Sequence, residues 1–178
     1  MAGTPSLPQG APKSLVQRTM LADVPSEPES FAPLEWLRQT GTDMAAAQEA
    51  WADHRLAEAP AGVAWDVVRL THGVGWETLR HLHTMQAPLG PVLHTSDGVE
   101  FLVAVGAADD WDLPDTTVIP AGEIVLLPHP VVIAPNTCHA RTWITAPRHD
   151  VGLTDAADLY GAYAAALASL DAAYGRRR

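Results

Sequence analysis

Cysteine is nearly absent from this chain: Cys138 stands alone, so no disulfide can form within it. Basic residues are also few, 11 lysines and arginines against 21 acids, for a formal charge of -10. Phosphate backbones are held by clustered Lys and Arg, so nucleic acid is not expected as a general partner. Three of those 11 basic residues are Arg176, Arg177 and Arg178 at the very end, which leaves little from which to build a basic groove. No apolar run approaches the ~18 residues that a membrane helix needs, so no membrane partner is expected. The start lacks the charged-then-apolar order of a secretory leader. Together with the lone thiol, this points to a reducing cytoplasm. Neither a Gly-x-Ser-x-Gly elbow, nor a P-loop, nor a dinucleotide fingerprint occurs.

What is present suits one domain. The chain has 178 residues, of which 47% are hydrophobic, enough for a single core. Residues 1–33 form a proline-rich arm, with Pro5, Pro8, Pro12, Pro25 and Pro28 among small and polar residues. Proline removes backbone donors and fixes φ, so regular structure there should be short, although Leu15, Val16, Met20 and Leu21 could dock as an extended segment. Residues 34–178 are read as the domain.

The domain's elements follow from pattern. PLEWLRQ, from Pro33, predicts a short helix, and Thr42 or Asp43 an N-cap for a second helix running up to Pro60. Its apolar stripe would be Ala47, Ala50, Trp51 and His54. Val63 to Leu70 is rich in β-branched residues and predicts a strand, ended by Gly73 and Gly75. Trp76 to Met85 predicts a helix. Val92 to Thr95 and Val99 to Val105 flank Ser96, Asp97 and Gly98, and Asp-Gly between apolar runs predicts a hairpin. Gly106 to Pro120 reads as an acidic loop. Gly122 to Leu127, Val131 to Ile133 and Arg141 to Thr145 read as strands, the first two flanked by prolines and so placed at edges or bends. Thr154 would cap a final helix with Leu159, Tyr163, Leu167, Leu170 and Tyr174 on one face. The fold class is therefore α+β, a two-layer arrangement: a mixed, mostly antiparallel sheet with packed helices and a C-terminal capping helix.

Three stretches in this order, EAWADHR…VAWDVVRL, LGPVLHTSDGVEFLVAVG and GEIVLLPHPVVIAP…RTWITAP, carry a resemblance. From about Ala45 to Pro147 the chain resembles the bifunctional primase-polymerase domain of the archaeo-eukaryotic primase superfamily, in its short, divergent actinobacterial form. The resemblance implies a sheet that cradles a nucleotide. It also implies a strand with two carboxylates one residue apart, which share a strand face and hold divalent metal on the triphosphate. Asp66 matches the first carboxylate, but Val68 stands at the second. The family's small-residue turn before a phosphate-contacting histidine is matched by Thr95 to Gly98, but Glu100 stands near the histidine position and would repel phosphate. A late strand carboxylate is missing, Val118 and Ile119 being nearest and Glu123 the only acid close by.

The resemblance thus implies a catalytically degenerate relative. No catalytic or metal-binding residue is assigned. The chain would bind a protein partner or a small nucleotide-like ligand through the former cleft, near Asp66, Arg69, His94, Asp97 and Glu100, with no cofactor. An alternative is an active nucleotidyl transferase or nucleotide hydrolase, with Asp66, Glu100 and Glu123 converging on Mg²⁺ or Mn²⁺. A further alternative is a cupin-like metal-binding barrel. His81 and His83 have that fold's His-x-His spacing but lie on a predicted helix, where they diverge by ~200°.

The remaining features have plain readings. Cys138 beside His139 reads as an incidental thiol, because neighbours on a strand point opposite ways. Asp109, Asp110 and Asp112 read as a solvated acidic loop, and Trp111 among them would suit an interface anchor if exposed.

Overall fold

The computed structural model describes residues 33–148 and 150–175. The proline-rich arm lies outside the described residues. Two short helices, α1 (Pro33–Arg38) and α2 (Met44–Ala52), precede β1 (Ala57–Pro60) and β2 (Asp66–Leu70). Then come α3 (His72–Met85), β3 (Val92–His94), β4 (Val99–Val103), β5 (Thr116–Ile119), β6 (Ile124–Leu127), β7 (Thr142–Thr145) and α4 (Ala156–Tyr174). The main sheet has five strands in the order β5-β2-β4-β3-β7, every neighbouring pair antiparallel. A second sheet pairs β1 with β6. Because β4 lies between β2 and β3, the β2-α3-β3 unit is a split crossover whose two strands run parallel without touching. The α+β class expected from the sequence is the class observed. The sheet is open, with β5 and β7 at its edges, so the cupin-like barrel is not formed.

Strand alternation divides the core in two. Val68, Leu70, Val99, Phe101 and Val103 line one face and are covered by α3 and α4. Val67, Leu93, Leu102 and Ile119 line the other face, beneath α1, α2 and the small sheet. On this second face Trp36 stacks on Trp65 at 5.6 Å between ring centroids and meets Trp143 edge-on at 6.3 Å. Buried indole N–H groups need acceptors. Trp51 donates to the Leu127 carbonyl and Trp143 to the Pro128 carbonyl, each at 3.0 Å, which ties the end of β6 to α2 and to the main sheet.

Several boundaries differ from the sequence reading. The second helix stops at Ala52 rather than near Pro60, and His54, at φ 56°, turns the chain into β1. His54 is therefore exposed beyond the helix and not part of its apolar stripe. Helix α3 begins at His72, directly after β2, and runs through both Gly73 and Gly75. Its start serves the packing: a Cβ on Gly75 would lie 2.6 Å from the Val99 Cβ. Part of the expected acidic loop is β5, paired with β2 from Val67↔Ile119 to Leu70↔Thr116. Val131 to Ile133 is irregular and makes one bridge, Ile133 to Trp143. Asp155, not Thr154, caps α4, its carboxylate accepting from the Ala157 and Asp158 amides. Thr154 is buried, and its hydroxyl accepts from the Gly90 amide. Among the described residues no helix is long and apolar enough to cross a membrane.

Candidate functional site

Alternation on β2 separates residues that lie close in sequence. Asp66, Val68 and Leu70 face α3 and α4, whereas Val67 and Arg69 face the other way. Register then builds a polar row on that second face. Arg69 is opposite Thr117 of β5 on one side and Glu100 of β4 on the other. Arg69 Nε donates to Glu100 Oε1 at 2.9 Å, and its terminal nitrogen lies 2.8 Å from the same oxygen. Glu100 is 1% exposed. Arg141, just ahead of β7 and two residues from the inward-facing Trp143, brings a second guanidinium to within 3.6 Å of Glu100 Oε2. That separation is an ion pair but too long for a hydrogen bond. Glu100 Oε2 and one terminal nitrogen of Arg141 are buried without a hydrogen-bond partner.

This row forms the floor of a cleft of about 210 Å³. Ile119, Pro120 and Ile124 form an apolar wall, and Glu123 and Thr117 stand at the exposed mouth. The side chains of Glu123 and Thr117 make no hydrogen bond or ion pair with any described residue. The floor is therefore cationic by one charge, two guanidiniums against one carboxylate, and Glu123 at the mouth restores neutrality.

The residues singled out in the sequence divide accordingly. Arg69 and Glu100 meet in the cleft. Asp66 is on the opposite, helix-covered face, where its carboxylate accepts from the Gly106 amide at 2.7 Å and closes the turn after β4. Asp66 therefore cannot join Glu100 and Glu123 around one metal. Val68, at the position where the resemblance requires a second carboxylate, has no exposed surface. Its neighbours are the apolar side chains under α3. His94 is on the same face as Val68, at the sheet margin. Its ring lies 5.1 Å from His72 and 5.8 Å from Trp76. Burial, and then the nearby His72, hold the His94 imidazole below its ordinary pKa. Asp97 is exposed at the β3-β4 turn, its amide donating to the Thr95 hydroxyl. Neither His94 nor Asp97 lines the cleft.

Arg141 and Thr117 were not among the candidate residues. The only local signal for Arg141 was its two-residue spacing from Trp143 on a strand with an inward-facing tryptophan. Its convergence with Arg69 is long-range and has no sequence signature.

Other candidates also change. Cys138 and His139 are in a turn, not a strand, so both reach one atom. The Cys138 thiol donates to the His54 carbonyl, and His139 Nε2 lies at the same 3.2 Å from it. They line a wider cleft of about 520 Å³ with Trp51, Arg55 and His129. The Trp111 side chain is half-buried against Tyr160 and Tyr163 of α4, so it supports the helix and is not a free anchor. His81 reaches Ser169 of α4 at 3.0 Å, while His83 is exposed. Among the described residues no three His, Cys, Asp or Glu side chains are grouped so as to hold a metal ion. Comparison of the chain with protein-family models, curated proteins and solved structures finds no match to any of them.

Proposed function

We propose that this chain is a primase-polymerase-like protein that acts by binding a small polar ligand, not by nucleotidyl transfer. The observation that carries the reading is the floor of the cleft. A desolvated Glu100 is held between Arg69 and Arg141 at the lining of a cleft on the sheet face opposite α3 and α4. Burying charge costs free energy that only good pairing and hydrogen bonding repay. Here Glu100 Oε2 and a terminal nitrogen of Arg141 are left without hydrogen bonds, so the group is poorly explained as a device of stability. The transfer reading loses its support from the other face. The two carboxylate positions there are a turn-closing Asp66 and a Val68 sealed beneath α3, so no pair of acids is presented to a metal.

The test is a calorimetric titration with small polar metabolites, nucleotides with Mn²⁺ included, beside a primer-synthesis assay on single-stranded DNA. Saturable binding that weakens at least tenfold in Arg141→Gln, with no primer made, is the expected result. Primer synthesis by the unaltered chain would overturn the reading, as would the absence of binding by every compound.

A further inference from the structure

We infer that the cleft over Arg141 selects a small zwitterion, of the class of free α-amino acids, rather than a phosphate or nucleotide. The inference rests on the binding reading above and names its ligand. Its first support is Arg141 itself. The side chain is 15% exposed, yet no described residue accepts a hydrogen bond from its guanidinium, and Glu100 at 3.6 Å is its one ionic neighbour. A guanidinium carries five donors in a planar fork that matches a carboxylate in bidentate fashion. Arg69 is engaged differently, with Nε and one terminal nitrogen turned to Glu100 Oε1. One terminal nitrogen of Arg141 is sealed beside Glu100, so a carboxylate entering the cleft would meet its Nε and its other terminal nitrogen and balance the one excess positive charge of the floor.

The second support is the order of charge along the cleft. Glu123 stands at the mouth with no cationic partner among the described residues, and the Thr117 hydroxyl beside it is equally unengaged. A phosphate, or the polyphosphate of a nucleotide, would bring its charge past Glu123 at a cost. The ammonium group of an α-amino acid, two bonds from the carboxylate carbon, meets Glu123 favourably. The whole cleft is neutral, so a ligand that is neutral overall, with its anionic end inward, leaves no charge unmatched. The third support is size and surface. At about 210 Å³ the space is smaller than the ~300–1,000 Å³ of sites that enclose drug-sized ligands. Its wall of Ile119, Pro120 and Ile124 suits an aliphatic side chain, and Ile124 is 50% exposed there.

The experiment compares, on the full chain, free α-amino acids with their N-acetyl derivatives, their decarboxylated amines, inorganic phosphate and nucleoside monophosphates. Isothermal titration is the readout. An aliphatic amino acid is expected to bind saturably, with the acetylated and decarboxylated forms at least tenfold weaker. Arg141→Gln should abolish the preference for the carboxylate, and Glu123→Gln the preference for the ammonium group, with both variants keeping the native circular dichroism spectrum. Phosphate or nucleotide binding that Arg141→Gln removes, with no amino acid bound, would overturn this inference and leave the binding reading intact. Silence from every compound would overturn both.

Discussion

Arg69 and Glu100 stand directly opposite each other on β2 and β4, with Nε 2.9 Å from Oε1, and they do so in the middle of a five-stranded sheet. Their flanking register partners, Val67 with Leu102 and Leu70 with Val99, are buried and apolar. A central strand pair of this kind is ordinarily filled by hydrophobic residues, so the ion pair is a departure that invites explanation by function.

Replacing Glu100 by Gln leaves two guanidiniums facing a neutral amide. Arg69 retains 27% side-chain exposure, so water offsets part of the loss. The expected cost is about 2 kcal/mol, below what a fully sealed pair would show. Urea denaturation checks this: the midpoint should fall with the slope unchanged. A midpoint equal to that of the unaltered chain would mean that Glu100 contributes nothing net to folding and is kept for the cleft alone.

Val68→Asp would complete the pair of acids that the primase-polymerase resemblance asks for. It should not produce a polymerase. Val68 has no exposed surface and belongs to one apolar cluster with Leu79, Phe101 and Leu159. An unpaired carboxylate there should destabilise the fold by about 3–5 kcal/mol. Thermal denaturation and primer extension on the same preparation test both halves. Extension activity from a folded Val68→Asp protein would show that this face opens to solvent and would undermine the placement of the site on the other face.

Local chemistry explains which parts of this fold were legible in the sequence. β2 and the β3-β4 hairpin are rich in β-branched residues and joined by Asp97-Gly98, and they fold as expected, with the Thr95 amide 2.9 Å from the Gly98 carbonyl. β1 was hidden because Ala57, Glu58, Ala59 and Pro60 have no strand propensity of their own; they become a strand by pairing with β6, about 65 residues away. β5 was hidden within an acidic stretch and is recruited by β2. The cleft was half legible. Arg69 and Glu100 were singled out as candidates, but alternation put Asp66 on the far side of the sheet, and Arg141 arrives from a segment with no local mark of function.

The start of α3 yields a sharper packing test. Gly75 lies inside the helix, where alanine is normally preferred by up to about 1 kcal/mol. Here a Cβ would meet the Val99 Cβ at 2.6 Å and a Val99 methyl at 2.8 Å, both fully buried. Crowding should outweigh propensity, so Gly75→Ala is expected to lower stability by about 1–3 kcal/mol. Gly73, two residues earlier in the same helix, is the control: nothing lies within 4 Å of its Cβ position, and Gly73→Ala should be neutral or slightly stabilising. Equal melting temperatures for the two variants would show that α3 can move away from β4 at little cost.

The same helix margin sets a pH dependence. His94 is held below its ordinary pKa by burial and then by the charge of His72, and His129 by burial alone. Both are therefore more readily protonated in the unfolded chain than in the folded one. Between the folded values and the ordinary value of about 6.5, the unfolded state binds more protons, so stability rises with pH across that window. The full contribution is present above the ordinary value and is lost as pH falls through the folded values. Stability measured by urea denaturation should accordingly decline as the solution is acidified from about pH 7.5 to about pH 5. His94→Asn should flatten part of that slope and His129→Asn a further part, because the two rings have separate surroundings, Trp76 and His72 for one and Trp51 for the other. A slope unchanged in both variants would assign the acid sensitivity to the carboxylates instead, beginning with Glu77, whose pKa is lowered chiefly by its hydrogen bond from Arg80. Carboxylate titration would place the loss well below the histidine range, so the midpoint of the acid transition separates the two causes.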